Sequence, residues 1–94
     1  MSPTFRPGSN LAMKVPPHRF DQTVAFYRDV LDFDVLHNPD DPPGESVRFR
    51  FGDKTLWIDR VDGLSQAELW LEVQTDDIES ASRYLAQQGC IRRD

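Results

Sequence analysis

The chain holds one cysteine, Cys90, among 94 residues. A single thiol forms no internal disulfide and builds no thiolate cage around a metal ion, so neither device is expected to hold the fold together. Cys90 is expected to serve as a small buried apolar residue. Histidine is nearly as scarce. His18 precedes the first predicted helix and His37 falls in a proline-rich loop, so both read as solvated residues rather than catalytic bases. The sequence suggests no Ser/His/Asp or Cys/His grouping, and it has no glycine-rich phosphate loop. No run of 18 apolar residues is present for a transmembrane helix, and residues 1–10 lack the apolar core of a signal peptide. A cytoplasmic protein without a membrane partner is the expectation. Basic residues are also in deficit: 11 Lys and Arg against 16 Asp and Glu give a net charge of −5. Such a surface repels phosphate backbones, which argues against a nucleic-acid partner.

The content is 38% hydrophobic and 11% aromatic, enough for the core of one small domain. The chain also repeats itself once, at an offset of 58 residues. Leu11, Met13 and Val15 recur as Leu69, Leu71 and Val73; Phe20 and Asp21 recur as Ile78 and Glu79; Phe26, Tyr27 and Phe33 recur as Tyr84, Leu85 and Ile91. The match runs through an alternating segment, a turn and a helical segment, as a duplicated supersecondary unit would. A duplicated unit usually encloses something between its copies.

Residues 1–9, with Pro3, Pro7 and Gly8 and no periodicity, read as a flexible leader, and residues 10–94 as one domain. A first module is expected over 10–61 and a partial second one over 66–94. Alternation over 11–15 predicts a strand, ended by Pro16 and Pro17. Phe20, Val24, Tyr27 and Leu31 make the stripe of an amphipathic helix, with Asp21 as the one residue near its start suited to capping. A second strand is expected over 33–36 and a loop over 37–44. Val47, Phe49 and Phe51, then Leu56 and Ile58 beyond Gly52-Asp53, predict a hairpin. The second module opens with a strand carrying Leu69, Leu71 and Val73. A helix over 77–88 follows, with Asp76 as cap, Ile78, Ala81 and Leu85 as buried stripe and Gly89 as its stop. Residues 90–92 are expected to begin another strand.

The order strand, helix, three strands, with Phe26-Tyr27-Arg28-Asp29-Val30-Leu31-Asp32-Phe33 after the first strand, resembles the vicinal oxygen chelate superfamily of glyoxalases, extradiol dioxygenases and bleomycin-resistance proteins. Members commonly carry Leu-Gly-Phe where this chain has Leu31-Asp32-Phe33. The resemblance implies an α+β fold of glyoxalase/bleomycin-resistance type: one βαβββ module followed by an incomplete second βαβββ module. It also implies sheets that curve around a cavity, paired within one chain or across a dimer. Metal-dependent members keep a histidine or glutamine on the first strand of each module and a glutamate on the last. The matching positions here are Ala12, Trp70 and Trp57, none of which ligates a divalent ion. The fourth position would fall beyond Asp94. No metal and no cofactor are therefore expected.

Alternation places Ala12, Lys14, Arg48, Arg50, Trp57, Asp59, Trp70 and Glu72 on the concave face. Of these, Lys14, Arg48, Arg50, Trp57, Asp59, Trp70 and Glu72 are the candidate ligand-binding residues. Indole walls with a few charges suit a small amphipathic or aromatic organic molecule, and either arginine suits a ligand carboxylate. The same residues have plain structural readings as core, interface or cross-strand ion pairs. Three functions stay open at this point: metal-independent binding; a superfamily enzyme using a divalent metal or side-chain acid/base chemistry, with Asp59 or Glu72 as base; and a non-catalytic dimerisation or regulatory module. The second module stops short of three strands. A homodimer, or further sequence, is expected to cover the exposed edge.

Overall fold

In the computed structural model, residues 3–41 and 44–92 are described. The elements are β1 (Phe5–Val15), α1 (Pro17–Ala25), a π-helical turn (Phe26–Val30), β2 (Val35–Leu36), β3 (Ser46–Phe51), β4 (Lys54–Arg60), β5 (Glu68–Thr75) and α2 (Ile78–Gln87). They form an α+β fold around a five-stranded sheet of order β2-β3-β4-β1-β5. β1 pairs with β4 in parallel, while β4 with β3 and β3 with β2 are antiparallel. The stretch from β1 to β4 is thus a βαβββ module, and β5–α2 repeats its opening strand and helix. The chain divides into two compact units, Ser9–Glu72 and a second made of the flanking segments up to Gly8 and from Val73.

Within Ser9–Glu72, period-2 alternation gives each strand one apolar face. Val15, Phe49, Leu56 and Ile58 are buried, and Phe20 and Val24 of α1 close over them. Leu11, Met13, Tyr27, Phe33, Val35 and Val47 pack around this core. Registers align Leu11, Leu56 and Phe49 in one row and Met13, Ile58 and Val47 in the next, so the apolar face runs continuously across three strands.

Several local expectations shift. β1 starts at Phe5, so residues 5–9 of the expected leader belong to a strand. The cap of α1 is Pro16, with no side-chain hydrogen bond, and not Asp21; Pro17 at the first helical position needs no N–H partner. The helix expected to reach Leu31 changes at Phe26 into a π turn, closed by the Leu31 N–H donating to the Phe26 carbonyl at 3.0 Å. The wider turn takes Leu31 out of phase with Phe20 and Val24, and it stands 41% exposed. His18 lies inside α1 and is exposed.

In the flanking unit, Thr75 Oγ1 donates to the Thr4 carbonyl at 2.8 Å, and the Phe5 and Tyr84 rings lie 6.1 Å apart. The cap of α2 is Asp77, which accepts from the Ser80 N–H at 3.1 Å. Asp76, the expected cap, instead accepts from Arg6 at 2.8 Å and Thr4 at 3.1 Å. Gly89 adopts φ +91, the left-handed stop expected of it. The Cys90 N–H reaches back to the Leu85 carbonyl at 2.9 Å and the Gly89 N–H to that of Ala86 at 3.1 Å, the paired bonds of a Schellman motif. Of the expected buried stripe, Ala81 is buried, but Ile78 is 73% and Leu85 39% exposed. Cys90 is exposed, contrary to its expected burial, and residues 90–92 form no strand.

Candidate functional site

The face of the sheet opposite α1 carries the chemistry. Three cross-strand rows are set by register: Asn10, Thr55 and Arg50; Ala12, Trp57 and Arg48; Lys14, Asp59 and Ser46. Successive residues of one strand point to opposite faces, so the sequence that turns Leu11, Met13, Leu56 and Ile58 toward the core must turn these rows the other way.

A cleft of about 550 Å³ opens on this face, lined by Ala12, Lys14, Trp57, Asp59, Trp70 and Glu72 together with Asn10, Ser46 and Leu71. Five of the seven candidate residues, Lys14, Trp57, Asp59, Trp70 and Glu72, are brought together there. Arg48 and Arg50 are not among the cleft's lining. Arg48 turns its guanidinium over the Trp57 ring, 4.9 Å from the centroid, and reaches Asp41 at 3.0 Å, beside a neighbouring depression that includes Val24, His37 and Asn38. Arg50 is exposed, 3.8 Å from Asp34.

The cleft's polar atoms are tied to one another. Lys14 Nζ donates to Asp59 Oδ2 at 2.6 Å, and Ser46 Oγ donates to Asp59 Oδ1 at 2.7 Å. The same ammonium stands 5.3 Å from the Trp70 ring centroid. Trp57 Nε1 donates to Asn10 Oδ1 at 2.8 Å, while Asn10 Nδ2 donates to Glu72 Oε2 at 3.1 Å. Glu72 Oε1 also accepts from the backbone N–H groups of Ser9, at 2.7 Å, and Asn10, at 3.3 Å. Asn10 therefore fixes the half-buried Trp57 indole and joins it to Glu72. Trp70 differs: it is 57% exposed, and its Nε1 donates to Glu68 at 3.3 Å.

Asn10 and Ser46 were absent from the sequence-based set. Both were within reach of its logic, since each lies two residues before a residue expected on the concave face of the same strand, Ala12 and Arg48 respectively.

Ala12, Trp57 and Trp70, expected from the resemblance to stand at metal-ligand positions, all line this cleft, and their side chains do not fit a divalent cation. Ala12 has no donor atom, and indole offers only an N–H. Both carboxylates are engaged by protein donors. Among the described residues no group of three His, Cys, Asp or Glu side chains could hold a metal ion. Among them also, no helix is long and apolar enough to cross a membrane.

No family model and no curated protein matches the chain. Among solved structures, it is similar to a lactoylglutathione lyase from Agrobacterium tumefaciens, with 25% identity and a TM-score of 0.43. That likeness covers 58% of this chain and 39% of the lyase, so the chain spans well under half of that protein's length.

Proposed function

We propose that this chain is a vicinal oxygen chelate superfamily protein whose cleft binds a small amphipathic or aromatic organic molecule without a metal ion. One observation carries the reading: Trp57 and Trp70, at two positions where metal-dependent members keep ligands, line one cleft together with alanine at the third. Two indoles supply broad apolar contact to a flat ligand, and Lys14 and Asp59 supply a polar end to orient it. The volume of about 550 Å³ lies within the usual range for small-molecule sites, roughly 300–1,000 Å³. The parallel β1–β4 pair and the βαβββ order support the family assignment.

The experiment is a titration of intrinsic tryptophan fluorescence with an aromatic monocation, N-methylquinolinium, on the protein and on its Trp70→Ala variant. Saturable quenching that weakens at least tenfold in the variant is the expected result. Quenching that is linear and equal in both proteins would remove the cleft as a binding site. A turnover screen run in chelator separates binding from catalysis: activity that disappears with chelator contradicts the metal-independent reading.

A second reading rests on β5. Leu69, Leu71 and Val73 are each more than three-fifths exposed on a strand at the end of the sheet, a template for further pairing. The occupant that suits it is a second copy of β5. Antiparallel pairing about a two-fold axis at Leu71 sets Leu69 against Val73, Trp70 against Glu72 and Glu68 against Gln74, with no like charges opposed. Sedimentation should then show a dimer that Leu71→Lys dissociates. A monomer at micromolar concentration rejects self-pairing.

A further inference from the structure

Each indole of the cleft already has a cation of the chain's own on its face, and each of those cations has its own carboxylate. Arg48 sits over Trp57 and pairs with Asp41; Lys14 sits over Trp70 and pairs with Asp59. The two arrangements are not equivalent. The Arg48 side chain is 19% exposed, and its Nε is sealed from solvent with no hydrogen-bond partner among the described residues. It is wedged between indole and carboxylate, outside the cleft's lining. Lys14 lines the cleft itself, on a flexible four-carbon stem, and rests against an indole that is more than half exposed.

We propose that Lys14 is an internal occupant of a cation subsite made by the Trp70 ring and the Asp59 carboxylate, and that by competing there it sets the charge selectivity of the cleft. This rests on the ligand-binding reading above and names the class of ligand: a flat, delocalised organic cation. Three features lead to it. An ammonium is compact and strongly hydrated, whereas a delocalised aromatic cation gives up less hydration and covers more of the ring, so it takes the indole face on better terms. Ser46 Oγ holds the second oxygen of Asp59 from the neighbouring strand, so the carboxylate stays in place when the ammonium swings away. Finally, Lys14, Asp59 and Glu72 together leave the lining with one negative charge in excess, which favours an entering cation and opposes an anion.

The test is calorimetric titration of three probes of one shape and three charges, N-methylquinolinium, quinoline and quinaldate. They are applied to the wild type, Lys14→Met, Asp59→Asn and Trp70→Ala, each checked for native circular dichroism. In the wild type the cation binds most tightly of the three. Lys14→Met removes the competitor and tightens cation binding about tenfold, while neutral quinoline, which gains the same ring face but draws nothing from the freed carboxylate, tightens by less. Asp59→Asn weakens cation binding by about tenfold or more and turns the preference toward quinaldate, because the ammonium is no longer neutralised. A structural role for either residue would weaken all three probes together, and a purely coulombic role of Lys14 would leave neutral quinoline unchanged, so tightening of both the cation and quinoline in Lys14→Met marks competition. If Lys14→Met leaves cation binding unchanged or weaker while Trp70→Ala abolishes it, the cleft is a binding site and the competitor role is overturned. If no probe binds either the wild type or Lys14→Met, both readings fall.

Discussion

Lys14 and Asp59 stand directly opposite one another across the parallel β1–β4 pair, with Nζ 2.6 Å from Oδ2. Their side chains are 26% and 15% exposed, so the pair is largely withdrawn from water without being sealed. Ser46, opposite Asp59 on β3, completes the row. The row joins β1, which opens the module, to the β3–β4 hairpin that closes it. The cleft is therefore built on the same strand pairing that organises the core beneath.

Coupling between the two residues should be measurable. A double-mutant cycle with Lys14→Met and Asp59→Asn, read by urea denaturation, is expected to give an interaction of about 1–3 kcal/mol, above that of a fully exposed pair. Additive effects would show that the contact does not hold the strands together.

The core on the opposite face makes a second prediction. Ile58 is fully buried and lies beside Met13 and Val47. Ile58→Ala should cost about 2–5 kcal/mol, a large share of the stability of so small a domain. Denaturation midpoints measured at low temperature, where the variant retains structure, check this.

Asn10 uses both ends of its amide, accepting from Trp57 and donating to Glu72. Asn10→Ala should leave the Trp57 N–H without its partner, cost about 1–3 kcal/mol and red-shift the tryptophan emission as the indole loosens. An unchanged spectrum with unchanged stability would mean the bridge contributes nothing.

Asp32 follows the π turn with φ +58, where the resembled family keeps glycine. An L-residue strains in this region and glycine does not, although glycine also frees the unfolded chain. Asp32→Gly should raise stability by up to about 1 kcal/mol, and Asp32→Val should lower it. Thermal melts of the two variants should move in opposite directions.

The pairing of Asp76 with Arg6, and then with Thr4, holds its carboxyl below the ordinary value of 3.8. A depressed carboxylate contributes stability above its unfolded value, and the contribution is lost as pH falls through the folded value. Asp76→Asn should therefore be less stable than the wild type at neutral pH, and the difference should vanish as pH falls through the depressed folded value. Added salt should narrow the neutral-pH difference, since the pair is exposed. A difference that persists in acid would assign the effect to packing.

Much of the module was legible from residue order because its signals are local. Alternation in 11–15, 47–51 and 56–59 marked three strands and also which side chains share a face, since strand geometry turns every second residue the same way. The two-residue Gly52-Asp53 interval marked the hairpin, and Gly89 marked the stop of α2 because a left-handed residue there suits glycine. Other features depended on what lies beside a residue. Periodicity predicted burial for Ile78 and Leu85 just as it did for Phe20 and Val24, yet only the latter pair is buried. Asp76 and Asp77 are both suitable caps by residue type, and Arg6 and Thr4, some seventy residues earlier, claim the first.

The sequence by itself determined the α+β character, the βαβββ order, the repeated strand and helix, and the division of each strand into an apolar and a chemical face. All of these follow from period and turn chemistry within a few residues. Tertiary structure alone decided that Lys14 meets Asp59 and Trp70, that Asn10 joins Trp57 to Glu72, and that Arg48 turns away toward Asp41. Those outcomes depend on strand order and register, which place residues tens of positions apart within hydrogen-bonding distance, and no local pattern specifies which of several charged neighbours a flexible side chain will take.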